Sequence, residues 1–558
     1  QEIRKIDPDN INALQLSGVL AYQVQQYDAS ISLLSRVISL KPDYEKAFYN
    51  RGLSLQQLGR FEEALADYNK AISLKPDYVD AIATRGILLS QTNKFEKALE
   101  DFEKVLSFDS DDAETLNNRG NTYSQMNRLD LALADYNKAI SLKPDYVDAL
   151  YNLGLLLIKL RFFKEALKQF NSAISFRECD TEILNNRGIN LRELGRLDEA
   201  RSDFDKAISL KPNYAQAINN RGLVLQDLGL FEEALSDYDK AASIDPEYIE
   251  PRFNKALQLL LLNDFEAGWP LYEWRWNVKQ TTEEQLKTSK PRWSGERNKR
   301  VFLWAEQGIG DEIMFASIIP ELALISTELI VSCDKRLIPL FQRSFGNEIS
   351  YYSREERVSE ASYDFHIPIA SLPQFFRPSI DSFKKAAKPY LHCKNEMVKT
   401  LRKEILQEGK KTVVGISWNS ASQAPGASHR NIALADMALK LNTPETQLIS
   451  LQYGDFSKEI SNLNHEYGIH VAEISEIDNH SNIDGLAALI MACDQVVSID
   501  NATVHLAGAL GAKTNVLLPF NRNWQWGVDQ PKSYWYQNVT LHRQEKPGNW
   551  KNILEALA

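Results

Sequence analysis

The first 268 residues contain no tryptophan and the first 365 no histidine; all ten tryptophans and all eight histidines come later. Ring chemistry is thus confined to the second half of the chain. Cysteine is scarce: Cys179, Cys333, Cys393 and Cys493 stand 60 to 154 residues apart, a spacing that suits neither a disulfide framework nor a zinc site. A reduced, cytoplasmic compartment is the simplest expectation. No apolar run approaches a membrane span, the longest being of the kind LLLL at Leu259 to Leu262, and no signal-peptide pattern opens the chain. Positive charge is not in excess either. A net charge of −11 argues against a nucleic-acid partner held through phosphates, though not against a nucleotide in one local pocket.

What is present, over the first half, is repetition. The stretch NRGLSLQQLGRFEEALADYNKAISLKPDY from Asn50 returns as NRGLVLQDLGLFEEALSDYDKAASIDPEY from Asn220. Its small residue recurs every 34 residues as Gly18, Gly52, Gly86, Gly120, Gly154, Gly188, Gly222 and Ala256. Prolines close the unit at Pro42, Pro76, Pro144, Pro212 and Pro246. Small residues let one helix approach its partner, aromatics such as Tyr68 and Tyr136 fill the gap, and proline ends the second helix. This pattern resembles the tetratricopeptide repeat from residue 11 to about 282. Residues 1–10, QEIRKIDPDN, read as the tail of a truncated repeat, because Pro8 falls on the closing-proline position; repeats are therefore expected before residue 1.

One slot goes beyond packing. Asn50, Asn118, Asn152, Asn186, Asn220 and Asn254 stand two residues before the small residue. Helix A lines the concave face in the family this region resembles, so these amides would form a ladder able to hold a peptide backbone without choosing its sequence. A solvated residue common to the repeat is the plainer alternative. Arg51, Arg119, Arg187 and Arg221 beside the ladder are expected to pack structurally rather than bind phosphate. Asp109-Ser110-Asp111, which mimics a metal motif of some sugar transferases, falls on the closing turn and is expected to be only that.

Beyond residue 283 the period disappears. A tryptophan-rich junction, GWPLYEWRWNVKQ, leads into apolar runs that alternate with helical patterns. VFLWAE, LIVSC, EISYY and YDFHIPI form one set; TVVGISW, QLISLQ, HVAEI, QVVSID and TNVLLPF form another. Such alternation predicts parallel sheets covered by helices. Three domains are expected: a helical solenoid over 1–282 and two Rossmann-like lobes over 283–395 and 396–558.

Ligands of such sheets bind beyond the carboxyl ends of the strands. In WAEQGIGDEI, Gly308 and Gly310 are expected to make a turn that places Asp311 at the start of a helix, in the cleft between the lobes. The stretch lacks a dinucleotide fingerprint and a phosphate loop. Asp311 suits a general base, a binding group for sugar hydroxyls, or a helix cap. In the last lobe Asp500, Asn501, Thr503 and His505 gather where a helix opens, an arrangement suited to a pyrophosphate. A second polar loop carries Ser417, Asn419, His429 and Arg430, whose guanidinium suits a leaving diphosphate.

WAEQGIGDEIMFASIIPEL, YDFHIPIASLP, VGISW, HRNIAL, LISLQYG and DQVVSIDNATVHLAGALGAKTNVLLP together resemble the heptosyltransferase-type (family 9-like) glycosyltransferases. The likeness is to the bacterial branch in which tetratricopeptide repeats precede the catalytic region. It implies a GT-B fold and inverting, metal-independent transfer from a nucleotide-diphosphate sugar, with no cofactor. The family's glycine-aspartate motif matches Gly310-Asp311, and its aspartate is the proposed base. Its Asp-Thr-Gly-x-x-His stretch, which lines the donor phosphates, matches Asp500 to His505, with Asn501 for threonine and Ala502 for glycine. Ser417, Asn419, Arg430 and Gln452 complete the expected donor contacts. In architecture the chain is also similar to the repeat-bearing O-GlcNAc transferases, whose asparagine ladder holds peptide acceptors; Asn118, Asn152, Asn186, Asn220 and Asn254 match that ladder. The expected function is transfer of a sugar to a protein hydroxyl, for instance on a surface protein such as flagellin. The alternatives are synthesis of a cell-surface glycan with the repeats docking a partner, and a non-catalytic scaffold.

Overall fold

The computed structural model describes residues 7–278, 285–384, 388–420, 430–520, 523–546 and 548–557. They form two compact units, Gln1–Pro212 and Asn213–Ala558. Among the described residues the first unit consists of six helix pairs, from Ile11–Gln23 with Tyr27–Leu40 to Thr181–Glu193 with Leu197–Leu210. The second helices end at Leu40, Leu74, Leu142 and Leu210, each two residues before a proline that disfavours further helix. Within a pair the backbones meet at the small residue: a Cβ on Gly120 would stand 2.8 Å from Tyr136 Cε1. The tight turn joining the pair needs one left-handed residue. Gln25, Gly59, Asn93, Asn127, Arg161 and Gly195 fill that slot with φ between 57° and 74°.

The arginines next to the ladder are spent inside the repeats. Arg51, Arg119 and Arg187 pair with Asp67, Asp135 and Asp203, sixteen residues on, at 2.7 Å. Arg85 and Asp101 pair in the same way, and in the second unit so do Arg221 and Asp237. Where the repeat has Leu153 in place of arginine, Gln169 replaces the aspartate. Each pair clamps helix A to helix B with two parallel hydrogen bonds, such as Arg119 Nε and Nη2 to the two oxygens of Asp135. Asp109-Ser110-Asp111 is a turn, closed by Asp111 N donating to Asp109 Oδ1 at 3.0 Å. Residues 7–10 likewise form a closing turn, with Asn10 capping the first helix; the rest of the expected tail, residues 1–6, lies outside the described residues.

The second unit opens with two more helix pairs, Ala215–Asp227 with Phe231–Ile244 and Glu250–Leu261 with Phe265–Tyr272. The last of these docks on the α/β region, as the tryptophan-rich junction suggests. Trp269 Nε1 donates to Arg377 O at 2.8 Å, and its ring meets Trp524 edge-on at 5.4 Å. The compact second unit therefore holds both these helix pairs and the α/β region.

Two parallel sheets follow. The first contains β1 (Arg300–Trp304), β2 (Glu328–Cys333), β3 (Ser350–Ser353) and β4 (Phe365–Pro368) in the order β3-β2-β1-β4. The second contains β5 (Thr412–Ser417), β6 (Thr446–Ser450), β7 (Val471–Ala472), β8 (Gln495–Ile499), β9 (Thr514–Leu518) and β10 (Val539–Arg543) in the order β10-β9-β8-β5-β6-β7. Helices cover these sheets, giving two Rossmann-like lobes. The expected strand HVAEI shrinks to two residues, and β10 was not anticipated: VTLHR alternates apolar and polar, as an edge strand does, and so lacks the continuous apolar run of its neighbours. Among the described residues no helix is long and apolar enough to cross a membrane.

The clamp is testable. Asp135→Ala leaves the Arg119 guanidinium facing a largely buried gap and is expected to cost about 1–3 kcal/mol, read as a lowered unfolding midpoint in thermal circular dichroism.

Candidate active site

Strand order reverses between β1 and β4 in the first sheet and between β5 and β8 in the second. Both reversals open crevices at carboxyl ends, and the candidate residues stand there. The turn after β1 differs from expectation in one respect. Gly308 is the N-cap of the helix Ile309–Phe315, with ordinary extended backbone (φ −64°, ψ 161°), and Gly310 lies inside that helix. Neither adopts a left-handed conformation, so the glycines do not serve a tight turn. Gly310 serves a close approach instead. A Cβ there would lie 3.1 Å from His505 Cδ2 and 3.5 Å from Ala502 Cα, on the helix Ala502–Leu510 of the other lobe.

That contact brings Asp311 to the last lobe. Its Oδ1 accepts a hydrogen bond from Gln525 Nε2 at 2.6 Å. The cap of its helix is the backbone of Gly308, and no side chain completes it, so Asp311 is not a helix cap. Burial pushes its carboxyl up to about 6; Gln525 pulls the other way, Asp500 and Glu306 push it further, and Arg430 lowers it. The neighbouring acids are different. Glu312, wholly buried, accepts from Asp334 N at 2.9 Å and from Arg354, and burial raises it to about 7. Glu306 pairs with Arg275 at 2.9 Å inside the protein and accepts from Ala370 N.

His505 is buried and neutral. Its Nδ1 lies 3.0 Å from Tyr536 Oη, its ring stacks on Trp526 at 5.3 Å, and burial depresses it to about 4. Asp500 accepts from Trp526 Nε1 at 2.9 Å and from Asn523 Nδ2 at 3.3 Å, and Arg430 Nη1 stands 3.6 Å from its Oδ2. Asp311, Arg430, Asp500 and His505 thus stand together where the two lobes meet.

The remaining expected donor contacts are spent on one another. Gln452 Oε1 accepts from Ser417 Oγ, Trp418 N and Asn419 N at 2.9–3.1 Å, and its Nε2 donates to Asn419 O and Tyr453 O. Asn501 Nδ2 donates to Ser417 Oγ at 2.8 Å, while its Oδ1 caps the helix at Thr503 N, 3.0 Å away. Thr503 Oγ1 reaches Leu451 O. Ser417, Gln452, Asn501 and Thr503 therefore lock the ends of β5, β6 and β8 together, and the helix N-terminus has one fewer free N–H than expected. The groups that keep half-exposed surface here are Arg430 and the side chain of Asn419. His429 and residues 421–428 lie outside the described residues.

Sequence reasoning missed Asn523, Gln525, Trp526 and Tyr536. The doubled tryptophan of NWQW was the available signal, but nothing in the sequence says that Gln525 meets Asp311. Two cavities flank the cluster. One of about 980 Å³ opens beyond β1 and β2, lined by Trp304, Glu306, Ser332, Arg354 and Tyr363; Asp311 does not line it. A smaller one of about 150 Å³ lies between Ile309, Ile313, Tyr453, Asn479 and Thr503.

The ladder asparagines are half-buried, and several have already used their N–H groups. In the first unit Asn152 Nδ2 donates to Asn117 Oδ1 at 3.0 Å and Asn186 Nδ2 to Tyr151 Oη at 2.9 Å; in the second Asn254 Nδ2 donates to Asn219 Oδ1 at 2.9 Å. These bonds stitch helix A of one repeat to helix A of the one before.

Gln452 and Arg430 should therefore separate on substitution. Gln452→Ala orphans buried N–H groups and is expected to cost about 2–4 kcal/mol in denaturant unfolding, whereas the half-exposed Arg430→Ala should stay within about 0.5 kcal/mol of the parent.

Tetratricopeptide-repeat family models match residues 45–78, 79–112 and 215–248, and a TPR-repeat model matches 120–160 and 190–229. Protein FlbA of Caulobacter vibrioides is 28% identical over 316 residues, 54% of this chain and 52% of that protein. The chain thus spans about half the length of that curated relative. Among solved structures, YrrB, described as a TPR protein with an unusual peptide-binding site, is 32% identical, with 34% of this chain and 98% of YrrB covered and a TM-score of 0.30. A tetratricopeptide repeat protein from Parabacteroides merdae is 21% identical, with 45% and 98% covered and a TM-score of 0.38. The chain thus carries tetratricopeptide repeats followed by a C-terminal α/β region.

Proposed function

We propose that the α/β region is an inverting glycosyltransferase using a nucleotide-diphosphate sugar, with residues 283–395 facing the acceptor and 396–558 the donor. The repeats, on this reading, hold a protein acceptor, for instance a surface protein such as flagellin. One observation carries the reading: a carboxylate raised to about 6, partnered by a neutral amide, faces an arginine and a helix N-terminus across a crevice between two parallel sheets. In the transfer step Asp311 takes the proton of the acceptor hydroxyl. The freed oxygen attacks the anomeric carbon, and that carbon's bond to the diphosphate breaks, its electron pair leaving on the phosphate oxygen. Arg430 and the helix Ala502–Leu510 offset the charge that builds there. Asp500 holds Arg430 rather than the donor itself, and His505 contributes a neutral ring nitrogen.

Asp311→Asn should lower transfer by about 10²–10⁴-fold while the fold and the affinity for UDP, GDP or ADP stay nearly intact. Retained turnover in a well-folded variant would end the assignment. In the parent the rate should fall as pH drops through about 6, because the base must be ionised and its acid form is inert. Arg430→Ala should weaken nucleoside-diphosphate binding in calorimetry, and a chelator should leave that binding unchanged.

The surface-glycan reading draws support from the ladder itself, whose amide N–H groups are partly committed between repeats. Asn186 Nδ2 donates twice, to Tyr151 Oη and to Glu182 O, which leaves its amide oxygen to hold a peptide. Replacing Asn186, Asn220 and Asn254 together with alanine should spare donor hydrolysis and depress protein glycosylation, since each lost bond contributes roughly 0.5–1.5 kcal/mol. Unchanged protein transfer would move the surface-glycan reading ahead.

A further inference from the structure

Two amides join Asp500 to Asp311. Asn523 Nδ2 lies 3.3 Å from Asp500 Oδ2 and 3.1 Å from Gln525 Oε1, and Gln525 Nε2 donates to Asp311 Oδ1 at 2.6 Å. The orientation of the chain is forced. An ionised carboxylate only accepts, so each amide turns its NH₂ toward its acid, and Gln525 Oε1 receives the other N–H of Asn523. The turn that carries these residues is anchored on the donor side: Trp526 donates to Asp500 and stacks on His505, and Gln525 is itself buried.

We infer that Gln525 is a positioning residue for transfer: it pins one oxygen of Asp311, leaves Oδ2 to take the acceptor's proton, and through Asn523 ties that orientation to the Asp500 loop. The inference rests on Asp311 being the base. It is also a contact between lobes, because Asp311 follows β1 and Gln525 follows β9. Any opening that parts the lobes removes the pin, so the base is set only when the crevice is closed around its contents. The titratable and charged groups facing Asp311 are Glu306 from its own lobe, and Asp500, Arg430, His505 and Tyr536 from the other. Among the described residues it is the neutral Gln525 that touches the carboxylate with a donor.

The test reads Asp311 directly, in the full chain with ¹³C-carboxyl aspartate, its resonance identified by its absence in Asp311→Asn. Gln525→Ala removes a donor that favours the charged form, so the titration midpoint should rise by about one pH unit, a tenfold change in ionisation. Gln525→Glu keeps the shape but sets a second carboxyl against the first, and the midpoint should rise further, as for two acids sharing a proton. UDP affinity by calorimetry should change less than about twofold in both, since neither variant touches Arg430. An unmoved midpoint in the isosteric Gln525→Glu, or UDP binding lost along with it, would overturn the inference. Turnover retained by Asp311→Asn would overturn the base reading instead, whatever the midpoint does, so the two failures are told apart.

Discussion

The close approach of two helices at Gly310 is the constraint on which the candidate site depends. Asp311 belongs to one sheet, while Arg430, Asp500 and His505 belong to the other. The absence of a side chain at Gly310 lets the helix Ile309–Phe315 lie against Ala502 and His505 without strain; a single added carbon would be 3.1 Å from the imidazole, which would have to give by a few tenths of an ångström. Larger side chains would have to part the lobes to fit, and the bond of 2.6 Å from Gln525 to Asp311 tolerates no such parting. Packing at a glycine thus sets the electrostatics of an acid next to it.

A similar economy governs the helical half. The Arg–Asp clamp appears in five repeats and is lost as a pair, never singly: Ser17 with Leu33, Leu153 with Gln169, Lys255 with Leu271. An arginine without its aspartate would leave a desolvated charge, and the reverse would leave an uncompensated carboxylate, either of which costs more than losing both. Three ladder asparagines, Asn152, Asn186 and Asn254, each join a repeat to the one before it. Their sequence regularity therefore has a structural cause sufficient in itself, and any hold on a peptide backbone is an addition to that cause.

The fold was legible because periodicity is set by geometry that side-chain patterns must obey. A 34-residue recurrence of small residue, aromatic and proline admits few structures, and continuous apolar runs mark strands buried on both faces. The edge strand β10 escaped since its residues alternate between buried and half-exposed, and its outer side pairs only with the short segment at Pro531–Ser533. In the site, the positions of Asp311, Arg430, Asp500 and His505 followed from strand ends. What could not be read was who bonds whom. Ser417, Gln452, Asn501 and Thr503 have the residue types of a ligand-binding loop, yet their polar atoms are spent on one another and on nearby backbone. A sequence shows donors and acceptors but not their pairing. Gln525 was hidden for the same reason, 214 residues from the acid it touches.

Three acids within seven residues, Glu306, Asp311 and Glu312, show how pairing sorts like groups into different tasks. Each is held in surroundings that disfavour its charge, and burial raises all three. Glu306 has Arg275 against it and Glu312 has Arg354, so each is tied to a guanidinium that also holds backbone: Arg275 reaches Tyr272 O, and Arg354 reaches Gln307 O. Those acids are fixed parts of the frame, and a proton gained by either would break its ion pair, wholly buried for Glu306 and half-buried for Glu312. Asp311 has an amide where the others have a cation. An amide can keep its N–H on the carboxyl whether or not that carboxyl is protonated, so a proton can arrive and leave without dismantling the structure. A base needs that freedom. Of the three acids, Asp311 is the one whose surroundings allow it.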